Sequence, residues 1–207
     1  SLVADHFRAP AHEVQLFSRT AGQGFHTLND LAAGRGLGAG TILHLAWSTL
    51  PATSESQPGI ESTHDLPLLA RLLDAVGRSP DRTRLHFVFF SSGGTVYGNA
   101  PGRPNVESDP CRPISCYGRA KCAAEQLIEA QAEQFGLACT ILRVSNPYGY
   151  PVPKSRAQGL IPHALRCAVE GQPLTLWGDG SARKDFLYYA DFLSALELVV
   201  RDRFIER

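Results

Sequence analysis

The chain has 207 residues with 20 basic and 20 acidic side chains, so it is formally neutral and carries no electrostatic footprint for nucleic acid or an anionic membrane. Its hydrophobic content of 43% suffices for one core of ordinary size, and no apolar run approaches the roughly 18 residues of a membrane span. Five cysteines without a Cys-x-x-Cys pair indicate neither a zinc site nor a disulfide framework; they read as reduced thiols of a cytoplasmic protein whose partners are small molecules and itself.

Taken in order, residues 1–8 have helical periodicity, and 12–17 read as a strand ending at Ser18-Arg19. The pattern from 20 to 40 is weak and Gly-rich. Residues 41–46 form a clear strand, 51–58 a polar Ser/Thr/Pro loop, and 65–76 a helix with Leu66, Leu69, Leu72 and Leu73 on one side. The run 86–90 is short, aromatic and β-branched and stops at a Gly-rich turn, as a buried strand of a parallel sheet does. Ser91-Ser92-Gly93-Gly94-Thr95-Val96-Tyr97-Gly98 then leaves its carboxyl end, the edge at which open α/β sheets bind ligands.

A Pro-rich polar excursion over 100–113 leads to Tyr117, which opens a helix running to Phe135. Beyond it lie a buried strand at 138–144, the turn Ser145-Asn146-Pro147-Tyr148-Gly149, and a Pro-rich loop at 150–159 with Lys154 and Arg156. A helix at 160–170, a strand at 174–177, the tight turn Gly178-Asp179-Gly180 and a helix at 191–200 complete the chain.

Tyr117 and Lys121 are four residues apart and share a helix face. A cation held near a phenol stabilises the phenolate, so Lys121 is expected to draw the Tyr117 pKa down and make it a general acid/base. The alternative is a helix-start tyrosine beside a solvated charge. With six tyrosines and three lysines, chance yields such a pair in roughly one chain in ten. The preceding strand and Ser/Gly/Thr turn strengthen the catalytic reading. Cys116 and Cys122 flank the pair and read as buried structural thiols.

The strand ending in Ser91-Ser92 with Thr95-Val96-Tyr97-Gly98, the Tyr117-x-x-x-Lys121 pair, Arg143-Val144-Ser145-Asn146-Pro147-Tyr148-Gly149, and Trp177-Gly178-Asp179-Gly180 followed by Lys184-Asp185-Phe186 and Asp191 resemble the extended short-chain dehydrogenase/reductases, most closely the nucleotide-sugar epimerase/dehydratase group that includes UDP-glucose 4-epimerase. The resemblance is specific from His86 to about Val200. It implies an α/β fold, a Rossmann-type doubly wound parallel sheet over 1–150 with a partial substrate-binding region over 151–207. It also implies a nicotinamide cofactor, a nucleotide-sugar substrate, and a homodimer through a four-helix bundle built from the helices at 65–76 and 117–135. Those two leucine- and alanine-rich stripes could equally pack on the sheet of their own chain.

For the cofactor, the resemblance implies NAD, with Leu45 and Ala46 beside its adenine and ribose and Tyr117 and Lys121 at the nicotinamide end. Ser18-Arg19 points the other way. A carboxylate at that strand end binds the 2′-hydroxyl of NAD, whereas an arginine accepts the 2′-phosphate of NADP or merely faces solvent. An NADP-dependent nucleotide-sugar reductase is therefore the alternative to an epimerase, and a non-catalytic family member the third reading. In the resembled family the first helix and strand follow an opening strand and a Gly-x-x-Gly-x-x-Gly turn that this sequence lacks. Losing that strand should leave two half-sheets with unpaired edges and no shared core, as in part of a longer chain; the carboxyl end also looks incomplete.

Three departures bear on chemistry. Epimerases carry Ser or Thr where this chain has Gly93, so the third catalytic group falls to Thr95 first and Ser92 second. No acidic pair stands at Gly94-Thr95, which argues against dehydration. Trp47 replaces a small residue of the family's His-Leu-Ala-Ala segment, whose His44 reads as structural. Asn146, Lys184 and Arg183 are the implied contacts of the substrate diphosphate, with Lys184 in place of the usual arginine.

Overall fold

A computed structural model describes residues 2–8, 12–20, 26–99, 102–151, 159–176 and 178–202. In chain order the elements are α1 (Leu2–Phe7), β1 (Phe17–Ser18), β2 (His26–Thr27), α2 (Leu28–Ala32), β3 (Gly40–His44), α3 (Pro51–Ser56), and a π-helical turn (Glu61–Asp65) that runs into α4 (Leu66–Arg78). There follow β4 (Leu85–Ser92), α5 (Cys116–Phe135), β5 (Ala138–Val144), β6 (Asn146–Tyr148), α6 (Leu160–Glu170), β7 (Phe186–Tyr188) and α7 (Tyr189–Asp202).

β4 is central because alternate side chains find apolar cover on both of its faces. Phe87 and Phe89 pack with Leu69, Leu72, Leu73 and Val76 of α4 and Ala124 and Ile128 of α5. Val88 packs on the other face with Val3 and Phe7 of α1 and Leu193, Leu196 and Val199 of α7. The result is three layers, helices on both sides of a parallel sheet ordered β3-β4-β5. Gly77 lets α4 meet α5, since a Cβ there would lie 2.4 Å from the Phe135 ring. Each fully buried leucine of α4 contributes about 1.5–3 kcal/mol through area removed from water.

β1-β2 and β6-β7 are separate parallel pairs, so among the described residues β3 has a partner on one side only. The expectation of no shared core is corrected, because Leu31 of α2 and Phe17 of β1 join the cluster formed by α4, α5 and β4.

Other differences are local. Residues 51–56 form α3 rather than a loop, since Pro51 presets the first helical turn and Thr53 Oγ1 accepts the Leu50 N–H at 2.8 Å. Only Phe17 and Ser18 of the expected first strand make a ladder. Residues 174–176 form no strand, and Leu176 is exposed; Trp177 lies outside the described residues. The ladder partner of 146–148 is instead Phe186–Tyr188. The loop carrying Lys154 and Arg156 also lies outside the described residues.

Candidate active site

Beyond β4 the chain folds back on itself. The Gly93 N–H donates to Val144 O at 2.9 Å, and the N–H groups of Thr95 and Val96 both donate to Ser92 O at 3.2 Å. Val96 is buried and anchors the turn, leaving Thr95 with a buried Oγ1 that has no hydrogen-bond partner among the described residues.

α5 starts against this turn. Its N-cap Ser115 accepts the Gly118 N–H at 3.0 Å, and the Glu55 carboxylate of α3 accepts the Cys116 N–H at 2.6 Å. A Cβ on Gly118 would stand 2.6 Å from Thr95 O, so glycine is what permits the helix to approach. The first turn of α5, which carries Tyr117, is thereby packed onto the backbone of the Thr95 turn, and Ser92 stands at the start of that turn.

Lys121, 3% exposed, donates from Nζ to Phe90 O at 2.8 Å. Its ammonium lies 3.8 Å from the Trp47 ring centroid, 4.6 Å from that of Phe89 and 5.6 Å from that of Tyr117. The expected direction of the tyrosine shift is reversed. Burial pushes the Tyr117 pKa up to about 12, helped by the negative charges of Glu61 and Asp65. Burial likewise pushes Lys121 down to about 7, against the pull of Asp65, Glu125 and Glu61. Both groups lose water, and desolvation outweighs their mutual effect.

Glu61 and Asp65 were not legible as site residues, because their i,i+4 spacing before a leucine-rich helix looks like an ordinary polar helix start. Both are buried. Asp65 accepts from Ser48 N and Oγ at 3.0 and 2.9 Å, and Ser48 Oγ in turn receives Arg19 Nη1 at 2.6 Å. Arg19, itself exposed, thus reaches Ser48 and lines a hollow of about 270 Å³ together with Asn29, His64 and Arg71. Ser18 beside it donates to Thr20 O. Leu45 is exposed and Ala46 half-buried just past β3. Ser18 and Ser92 therefore end parallel strands, and Arg19, Leu45, Ala46 and Thr95 lie just beyond the carboxyl ends of such strands. His44 is buried between Phe87 and Phe89, its pKa driven down to about 4 by burial, as suits a structural residue.

Asn146 donates from Nδ2 to Asp185 O at 2.7 Å and lies beside Gly94, its side-chain amide 3.9 Å from where a Cβ would stand. Arg183 and Lys184 are exposed, immediately before Asp185. Behind the site a buried ion pair ties three elements together: Arg143 of β5 donates to Glu125 of α5 at 2.8 Å and to Tyr97 Oη at 2.9 Å, while Ser91 of β4 donates to the same Glu125. Cys122 is buried, and burial raises its pKa to about 12, so it is an inert thiol.

The model of the NAD dependent epimerase/dehydratase family matches residues 28–205. An uncharacterized UDP-glucose epimerase, YtcB of Bacillus subtilis, is 29% identical over 169 residues, which is 79% of this chain and 49% of that protein. The chain thus spans about half the length of that relative. The UDP-glucose 4-epimerase of Thermotoga maritima, solved with UDP-glucose, superimposes with a TM-score of 0.82 at 23% identity, covering 97% of this chain and 69% of that one. MoeE5, solved with UDP-glucose and NAD, gives a TM-score of 0.78 at 26% identity over 98% of this chain and 68% of its own. A Rossmann-type α/β fold is common to these structures and this chain.

Proposed function

The chain belongs to the NAD dependent epimerase/dehydratase family, and we propose that within it the protein works as a nucleotide-sugar 4-epimerase. The observation that carries this reading is Gly118, which presses the first turn of α5, with Tyr117 and the Lys121 ammonium 5.6 Å from its ring centroid, onto the turn that holds the unpartnered Thr95 hydroxyl.

NAD fits the residues present at the ribose and nicotinamide end: Leu45 and Ala46 follow β3, the Arg19 that would otherwise favour a 2′-phosphate donates to Ser48 Oγ at 2.6 Å, and Thr95 Oγ1 and Trp47 Nε1 are buried polar atoms lacking protein partners among the described residues. MoeE5 holds NAD on this fold. Bound there, NAD would supply the acceptor and later donor of the C4 hydride, together with a positive ring that favours the Tyr117 phenolate. Tyr117 takes the proton of the C4 hydroxyl and returns it after the keto sugar has turned. Thr95, with Ser92 second, donates to the reacting oxygen. Lys121 supplies the positive charge beside the phenol, and Asn146, Lys184 and Arg183 hold the diphosphate.

The boundary at residue 150, between a dinucleotide-binding part and a partial substrate-binding part, belongs to the same proposal. So do a cytoplasmic location and a homodimer through α4 and α5; among the described residues no helix is long and apolar enough to cross a membrane. The apolar stripes of α4 and α5 are buried within the chain, so a four-helix bundle would form on their outer flanks, and light scattering decides its existence.

The test is to incubate the protein with NAD and UDP-glucose or UDP-galactose and follow the sugars by NMR. Interconversion without net absorbance change at 340 nm is expected, falling about 10²–10⁴-fold in Tyr117→Phe. Stoichiometric consumption of NADPH, or turnover untouched by that substitution, overturns the reading.

A further inference from the structure

Lys121 is one of only three lysines in the chain and is almost wholly withdrawn from water. Its ammonium has three N–H donors. Phe90 O takes one at 2.8 Å. On another side, 3.8 Å away, lies the face of Trp47, and the Phe89 ring closes a third side at 4.6 Å. The indole is itself fixed, meeting Phe89 edge to face at 5.9 Å and 65°. An indole face is negative, and over a desolvated ammonium it substitutes for part of the lost hydration. A small residue at this position, as in the segment that residues 44–47 resemble, offers no such face.

We propose that Trp47 is a positioning residue for Lys121: the face of its indole and the carbonyl oxygen of Phe90 together hold the ammonium in its buried place beside Tyr117. The remaining charged and titratable groups facing Lys121 are Asp65 and Glu61 before α4, Glu125 one turn along its own helix, His44 at the end of β3 and Tyr117. None of the carboxylates forms a salt bridge with Lys121 in the structure. The indole therefore stands in direct contact where the carboxylates act at longer range. Removing its face while keeping the site apolar makes the charged lysine less favourable, and the lysine then gives up its proton at lower pH.

This placement rests on the reading of Tyr117 and Lys121 as the proton-handling pair, but its test needs no turnover. The protein is expressed with lysine labelled with ¹³C at Cε, and the three signals are followed against pH without cofactor, Lys121→Arg identifying the residue. Lys121 is expected to titrate near 7 in the native chain. In Trp47→Leu the midpoint should fall by about one pH unit, and in Trp47→Phe by less than half of that, the smaller ring being the weaker partner. A midpoint unmoved in Trp47→Leu, or moved equally by Phe and Leu, overturns the proposal. Should Trp47→Leu fail to fold, the native protein still decides. The Lys121 ε-methylene protons must be shifted upfield by the indole ring current, and their appearance at an ordinary lysine position overturns the proposal. A chain that shows both signatures and does not epimerise sugars refutes the proposed function and leaves this inference standing.

Discussion

A Cβ on Gly93 would stand 2.6 Å from the carbonyl oxygen of Arg143. The position at which related epimerases carry a hydroxyl is here closed by backbone, and the Gly93 N–H bond to Val144 O at 2.9 Å keeps the two segments together. Gly93→Ser therefore does not restore a catalytic donor. It should lower stability by about 1–3 kcal/mol through overpacking, read from urea unfolding, with no gain in turnover. A variant as stable as the native protein would show that this turn adjusts freely.

Thr95 makes the complementary case. Its buried Oγ1 lacks a partner among the described residues, so replacing the hydroxyl with a methyl removes an unsatisfied polar atom. Thr95→Val should leave the thermal midpoint unchanged or raise it slightly, while kcat/KM falls by about 10-fold or more. If stability drops and activity holds, the hydroxyl serves the fold and not the substrate.

The Glu125–Arg143 pair predicts the opposite balance. Glu125 is 2% exposed, and Arg143 also holds Tyr97 Oη and Glu107 O, both at 2.9 Å. Arg143→Met leaves a buried carboxylate without its cation and should cost about 3 kcal/mol or more. The double variant Glu125→Leu with Arg143→Met should cost less than the two singles summed, because neither charge is then stranded. Additive losses in denaturant titrations would contradict this.

The pH dependence of stability follows from the two shifted groups. Lys121 has a folded-state pKa of about 7, below its ordinary 10.5, so between those values the unfolded chain binds more protons and stability rises with pH. Tyr117, raised to about 12 from 10.0, retains its proton in the fold while the unfolded chain ionises, so stability falls above about pH 10. Melting scans from pH 6.5 to 11 should pass through a maximum slightly above pH 10 for these two groups, where the two opposing proton uptakes balance. Lys121→Met should be more stable at pH 7, by on the order of a few kcal/mol, and should flatten the rising limb. A flat native profile would show that Lys121 is hydrated and not desolvated.

How much of this was legible in the sequence divides along a physical line. Local periodicity and turn chemistry act over a few residues and needed no tertiary context, so the β4 run, the Ser/Gly/Thr turn after it and the one-turn spacing of Tyr117 and Lys121 were readable directly. Short ladders were not, because pairing β6 with β7 joins three-residue segments forty apart, Asn-Pro-Tyr and Phe-Leu-Tyr, too short to show a strand periodicity of their own.

Periodicity and turn chemistry by themselves marked the buried β4 run and the turn after it, motif spacing nominated Tyr117 and Lys121 as the candidate pair, and the family resemblance of those motifs implied the layered α/β architecture. Only the tertiary structure decided the electrostatics of that pair. The π-helical turn before α4 brings Glu61 and Asp65 inward, Trp47 covers Lys121, and the core withdraws water from all of them. Charge state in a protein depends on what surrounds a group in space, and four of the groups that surround this pair come from chain positions 44–65, far from it in sequence.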